Sequence, residues 1–231
     1  MNERTKKEII DEFFLSSKGY DMQRFKDAYH ALIDAGLSLD KNKGDIGGYA
    51  LLISSYCGSV ECVEFLVNQN VDVNFVDRSG VGSVSGEGNT ALIHMVKNQN
   101  NNNAEGICKI TSILLKAGAN IDAQNDDGCT ALIESIVDGR ADNIKILLKA
   151  GADFDVLKSK DGFTAESQAK YMSDHFFYTV ANDLIQKHKR NIKLEKNQAE
   201  IEKESQMKIE AKKRQKSSRI NLRRYVRRKG M

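Results

Sequence analysis

Two short strings recur along this chain of 231 residues, and together they leave little choice of architecture. The first is Gly128-Cys129-Thr130-Ala131-Leu132-Ile133. A near copy stands at Gly88-Asn89-Thr90-Ala91-Leu92-Ile93, with weaker ones at Gly47-Gly48-Tyr49-Ala50-Leu51-Leu52 and Gly162-Phe163-Thr164-Ala165. The second string follows the first three: Asn70-Val71-Asp72-Val73-Asn74, Gly118-Ala119-Asn120-Ile121-Asp122 and Gly151-Ala152-Asp153-Phe154-Asp155. Two linked signatures at one period define a repeat protein, in which each unit must stack on the next to bury its apolar face.

Anchoring on Tyr49, Thr90, Thr130 and Thr164 gives spacings of 41, 40 and 34 residues. The undisturbed unit, 125–157, is 33 residues long. It predicts a short helix from Thr130 to Val137, broken by Gly139, and a second helix from Asp142 to Lys149 with Ile144, Leu147 and Leu148 on one face. Gly151 then stops the chain, since a residue without Cβ accepts the left-handed conformation.

This unit resembles the ankyrin repeat: helix, turn, helix and a β-turn finger, with the Gly-x-Thr-x-Leu and Gly-Ala-Asp signatures. The resemblance covers roughly residues 20–186 and implies an all-α, ankyrin-like solenoid of paired antiparallel helices with β-turn fingers, followed by a C-terminal charged helix and tail. The division it implies is an N-terminal helical cap at 1–40, repeats at about 41–77, 78–124, 125–157 and 158–186, and a basic tail at 187–231. Two departures stand out. The family's Thr-Pro-Leu-His becomes Thr-Ala-Leu-Ile, so Ile93 and Ile133 replace a hydrogen-bonding His and packing must compensate. The second unit is swollen by a Gly/Ser-rich insertion in its finger (78–86) and an Asn-rich one between its helices (around 98–103, extending toward 106). In the terminal unit, Glu166 stands where the internal units have Leu, as expected of a cap. Phe13, Phe14, Leu15, Phe25, Tyr29, Leu32 and Ile33 mark two cap helices closed by Gly36. The second helix of the last unit is expected to hold Phe176, Phe177, Val180, Leu184 and Ile185. A charged helix is expected from Lys187 to about Lys216, with an apolar stripe too thin for a stable coiled coil.

Composition narrows the function. The sequence has no Pro and no Trp, and its 40% hydrophobic content suffices for a core. No apolar run approaches the roughly 20 residues that span a membrane, and the N-terminus does not read as a signal peptide. Cys57, Cys62, Cys108 and Cys129 lack metal-site spacing and are expected to be free thiols in a reducing compartment. The four His are scattered, Asp126-Asp127-Gly128 lacks the carboxylate spacing of a calcium loop, and no phosphate-cradling glycine loop is present. The sequence therefore announces no catalytic residues, no metal and no cofactor.

The resemblance implies a concave groove lined by the fingers and first helices, whose residues are free to be set by a protein partner. By alignment the fingers contribute Glu87, Asn89, Asp126, Asp127, Cys129 and Phe163, and the helix ends contribute Tyr56, Cys57, Lys97, Asp138, Tyr171 and Met172. Tyr56, Phe163, Tyr171 and Met172 are the expected anchors. Asp126, Asp127, Asp138 and Asp161 make the middle acidic, which favours a basic partner. The tail has the opposite sign: residues 187–231 hold 17 Lys and Arg against 5 Asp and Glu, and the other 186 residues hold 18 against 27. Lys212, Lys213, Arg214, Arg223, Arg224, Arg227, Arg228 and Lys229 belong to a run without acids, open to three uses: contact with nucleic acid or anionic lipid, nuclear import, or a solubilising tail. The expectation is thus a non-enzymatic, monomeric, cytoplasmic interaction protein. Irregular repeats of this kind resemble those of bacterial effectors exported to host cells and of toxin-neutralising immunity proteins.

Overall fold

The computed structural model describes residues 3–40, 42, 45–76, 87–97, 104–172 and 179–229, with the backbone alone for 104 and 215–229. The insertion at 78–86, the Asn-rich stretch 98–103, and Phe176 and Phe177 lie outside the described residues. Ten helices are described: α1 (Glu3–Ser16), α2 (Met22–Asp34), α3 (Ile46–Cys57), α4 (Val60–Val67), α5 (Ala91–Lys97), α6 (Ala104–Lys116), α7 (Ala131–Val137), α8 (Ala141–Lys149), α9 (Ala165–Met172) and α10 (Thr179–Lys229). Two compact units are formed, Met1–Ile185 and Gln186–Met231.

In the first unit the helices pair as α1 with α2, α3 with α4, α5 with α6 and α7 with α8. Each odd-numbered helix packs on the next odd one as far as α9, and each even-numbered helix on the next even one as far as α8. The result is two parallel rows, an inner row and an outer row, around one core. The first recurring string builds the inner row. Thr90, Thr130 and Thr164 cap their helices, each Oγ1 accepting a backbone N–H three residues on (Ile93, 3.4 Å; Ile133, 3.3 Å; Ser167, 3.1 Å). The Ala after each cap, and Ala50 after Tyr49, is at most 1% exposed and belongs to the core. Ile93 and Ile133, which stand where the family has a hydrogen-bonding His, are also buried in the core.

The second string stitches the units together. Within each copy the third residue's carboxylate or amide oxygen accepts the fifth residue's N–H: Asp72 from Asn74 (2.9 Å), Asn120 from Asp122 (3.1 Å), Asp153 from Asp155 (3.0 Å). The fifth side chain then reaches the following unit. Asn74 accepts from the N–H of Asn120 at 2.7 Å, and Asp122 from that of Asp153 at 2.8 Å. Short polar side chains recur there because only they both fold the turn and cross to the neighbour. Asn70 takes φ +58° where the other copies place Gly118 and Gly151.

Aromatic rings close the N-terminal end. Phe13 stacks on Phe25, which meets Phe65 edge-on at 5.4 Å, while Leu15 and Ile33 remain exposed. Tyr49, standing where the other units have Thr, lies between Phe14 and Phe75. In the last unit, Ala181 and Ile185 take the buried positions and Val180 is 47% exposed.

One core position is chemically out of place. Asn143 aligns with Cys62 and Ile110, is 2% exposed, and finds no hydrogen-bond partner for either amide atom. It borders a cleft of about 100 Å³ with Ile107 and Cys108. A buried unpaired amide costs about 1–3 kcal/mol. Asn143→Leu is therefore expected to raise the thermal midpoint, by about 2–4 °C per kcal/mol recovered. An unchanged or lower midpoint in calorimetry would mean that the amide is satisfied by ordered water.

In the second unit α10 continues unbroken to Lys229, beyond the expected stop near Lys216. No Gly or Pro occurs between Gln186 and Lys229 to end it. From Lys193 to Arg214 every residue is exposed, and the apolar residues follow no helical face, as expected of a helix that is polar all round.

Candidate interaction groove

The fingers form a backbone ladder in front of the inner helices. Gly128 N–H closes the turn onto Asn125 O at 2.9 Å, and Asn125 N–H returns to Cys129 O at 3.0 Å. Asp126 N–H donates to Glu87 O of the preceding finger at 2.8 Å, and Lys160 N–H of the following finger donates to Asp127 O at 2.7 Å. Gly88, at φ +70°, lies flush on Asp126, where any Cβ would strike its carboxylate.

Asn125 is the hub of this arrangement and is 6% exposed. Its Oδ1 accepts from the N–H groups of Asp127 (3.0 Å) and Cys129 (2.9 Å). Its Nδ2 donates to Asn89 Oδ1 (2.9 Å) and to Glu134 Oε1 (3.2 Å). Asn89 is fully buried. The sequence alignment placed it on the contact surface; the structure removes it, because its side chain is used to join two fingers.

Three cations meet four carboxylates at the fingers: Arg140 lies 4.0 Å from Asp138, Lys160 lies 3.8 Å from Asp127, and Lys97 serves Glu87 and Glu134. Lys97 Nζ at the end of α5 is 2.7 Å from Glu87 and 3.8 Å from Glu134 of α7, and it also feels the charges of Asp127 and Asp138. Desolvation pulls Lys97 down, but the Glu87 hydrogen bond and the charges of Glu134, Glu87 and Asp127 outweigh it and leave it raised. Desolvation lifts Glu134 above the usual carboxylate range. Its side chain is only 12% exposed, and an ammonium 3.8 Å away does not offset that burial. Burial lifts Asp138 in the same way, against the pull of Arg140.

The remaining expected residues divide. Asp126 and Asp127 are exposed at the fingertip, Asp127 opposite Lys160 at 3.8 Å. Cys129, expected to be exposed, is half-buried; desolvation first, then Glu134 and Asp127, push its thiol up to about 11, so it is no thiolate at neutral pH. Phe163 packs on the exposed ring of Tyr171 at 5.3 Å, and Met172 is half-buried with its sulfur 3.2 Å from Gln168 Nε2. Tyr56 meets His94 edge-on at 6.0 Å and is 40% exposed. Cys57 is half-buried beside Lys18 and Cys62 rather than with the carboxylates. Lys212, Lys213 and Arg214 are exposed in the second unit; of Arg223, Arg224, Arg227, Arg228 and Lys229 only the helical backbone is described.

Sequence reasoning missed Glu134 and Asn125. Glu134 carried a legible signal, being the single charge in the helix Ala-Leu-Ile-Glu-Ser-Ile-Val. Among the described residues no three His, Cys, Asp or Glu side chains gather to hold a metal, and no helix is long and apolar enough to cross a membrane.

Compared with known proteins, residues 51–158 match the family model for ankyrin repeats, in three copies. Over 108 residues the chain is 32% identical to the nuclear factor NF-kappa-B p105 subunit of Gallus gallus. That stretch is 46% of this chain and 10% of the relative, so the chain spans about a tenth of the relative's length.

Proposed function

From the premise that this is an ankyrin repeat protein, a family of non-enzymatic modules that mediate protein–protein interaction, we propose that it binds a protein partner through the groove of its fingers and inner helices, and that the partner presents a basic segment. The observation that carries this reading is the grouping of Glu87, Asp127, Glu134 and Asp138 with only three cations among the described residues, Lys97, Arg140 and Lys160. Negative charge is in excess there, and aromatic surface is available at Tyr56, Phe163 and Tyr171. A partner's Lys or Arg would meet complementary charge, and the rings would add apolar contact. Free thiols at all four cysteines support a reducing compartment as the place of action.

Affinity capture with mass spectrometry tests the proposal, with the native chain compared with one carrying Tyr56→Ala, Asp126→Ala, Asp127→Ala and Tyr171→Ala. These side chains are exposed, so the variant is expected to fold normally, as circular dichroism would check, and to lose the partner. A partner retained in full by the folded variant would remove the groove assignment.

Binding is also expected to depend on pH. Glu134 and Asp138 are lifted by burial, so they lose their charge earlier than ordinary carboxylates as pH falls. Partner affinity should decline as falling pH neutralises these two groups. Stability runs in the other direction for these two groups: a raised carboxylate favours the folded state increasingly as pH falls through its folded value. Binding titrations alongside denaturant melts across this range separate the effects, and a flat affinity would exclude these carboxylates from the contact.

A further inference from the structure

We propose that the last turns of α10, residues 212–229, bind duplex nucleic acid through its phosphates. The run holds ten Lys and Arg and no Asp or Glu, and the helix carries it without a break to Lys229. Helical continuity turns a composition into a pattern. At 3.6 residues per turn, Lys212, Lys216, Arg219, Arg223 and Arg227 recur every third or fourth position and fall in one stripe, about 22 Å long at 1.5 Å per residue. Lys213, Arg224, Arg228 and Arg214 take the adjoining register positions and widen the basic arc well past half the helix. Gln215, Ser218, Leu222, Tyr225 and Val226 share the remaining arc with Lys229.

Three features of the pattern favour a nucleic acid duplex. A helix lying in a duplex groove has phosphates on both sides, which suits a basic arc wider than one face; a helix resting on a membrane meets anions on one side only. Six of the ten cations are Arg, whose planar fork matches phosphate oxygens in pairs. The remaining arc offers Leu222, Tyr225 and Val226, interrupted by Lys229, and no Phe or Trp, little apolar area for insertion among lipid chains. The stripe also places like charges four apart at Lys212/Lys216, Arg219/Arg223 and Arg223/Arg227, each pair costing the free helix a few tenths of a kcal/mol. A polyanion reverses that cost, so binding and helix order reinforce each other. The inference is independent of the groove: it concerns a different unit of the chain and a partner of opposite charge.

Fluorescence anisotropy with the full chain tests it, using labelled RNA and DNA duplexes of matching sequence across a salt series. Vesicles of phosphatidylserine and phosphatidylcholine serve as the competing surface. Five phosphate contacts imply a slope of about −4.5 in log affinity against log salt, or roughly a 500-fold loss from 50 to 200 mM. The variant Lys216→Gln, Arg223→Gln, Arg227→Gln should bind about 100-fold more weakly at low salt with a slope reduced by about 3. An upstream variant that removes the same charge, Lys193→Gln, Lys196→Gln, Lys203→Gln, should stay within about threefold of the native chain if contacts rather than net charge govern. Tighter binding to the DNA arm is expected, because the B-form major groove admits a helix and the A-form one does not; tighter binding to the RNA arm would overturn the groove geometry. Absence of binding to both, indifference to salt, equal weakening by the two variants, or vesicles displacing the duplex at equal charge would each overturn the proposal.

Discussion

Asn125→Ala is expected to lower folding stability by about 3–5 kcal/mol, more than any other single polar substitution in the fingers. The change removes the acceptor of two backbone N–H groups, Asp127 and Cys129, and the donor to Asn89 and Glu134. Each lost bond is worth about 1 kcal/mol, and more where a buried partner is left unpaired; Asn89, fully buried, is such a partner. Asn125→Asp gives a diagnostic contrast. It keeps the turn's acceptor oxygen but replaces the amide donor by a charge beside Glu134, so its loss should be smaller at acid pH and larger at neutral pH. Gln124→Ala serves as the control. Its exposed Nε2 donates to Gly128 O at 2.7 Å and Lys158 O at 3.0 Å, and its removal should cost about 1 kcal/mol or less. Urea melts of the three variants order them. Equal losses for Asn125→Ala and Gln124→Ala would show that the buried amide is no hub.

The second large effect concerns binding. Asp127 and Asp161 are exposed fingertip acids, so reversing both to Lys should change stability by no more than about 0.5 kcal/mol each. The same change sets two cations against a basic partner, and such like-charge contacts cost several kcal/mol. Affinity is expected to fall by about 100-fold or more, and the loss should shrink as salt rises and screens the exposed charges. Surface plasmon resonance with the captured partner, at low and high salt, reads both quantities. An unchanged affinity, or a loss indifferent to salt, would mean that the fingertips lie outside the contact.

How far the sequence went is clearest in particular residues. Thr90, Thr130 and Thr164 announced the inner helices because a capping hydroxyl acts locally, within three residues of its own position. The Asn and Asp residues of the second string were equally legible as a repeat. Their bonds from one unit to the next, Asn74 to Asn120 and Asp122 to Asp153, were not, because those partners lie 46 and 31 residues apart. Burial was the main failure. Asn89 and Cys129 align with fingertip positions, yet one is enclosed and the other half-enclosed by the stacked neighbour. Glu134 was passed over as part of an apolar helix, although Lys97 reaches it from the unit before. The orphaned amide of Asn143 is likewise invisible without its surroundings. The end of α10 failed for another reason: the expected stop near Lys216 rested on no helix breaker, and none occurs before Gly230.

The central claim is that the partner contacts the finger and inner-helix face. Photo-crosslinking from single sites tests it most directly, with a crosslinking amino acid placed in turn at Tyr56, Asp127 and Tyr171, and at Glu64 and Ser112 on the outer helices α4 and α6. The partner is expected to be trapped from the first three sites and from neither of the last two. Trapping from Glu64 and Ser112 without trapping from Tyr56, Asp127 and Tyr171 would contradict it.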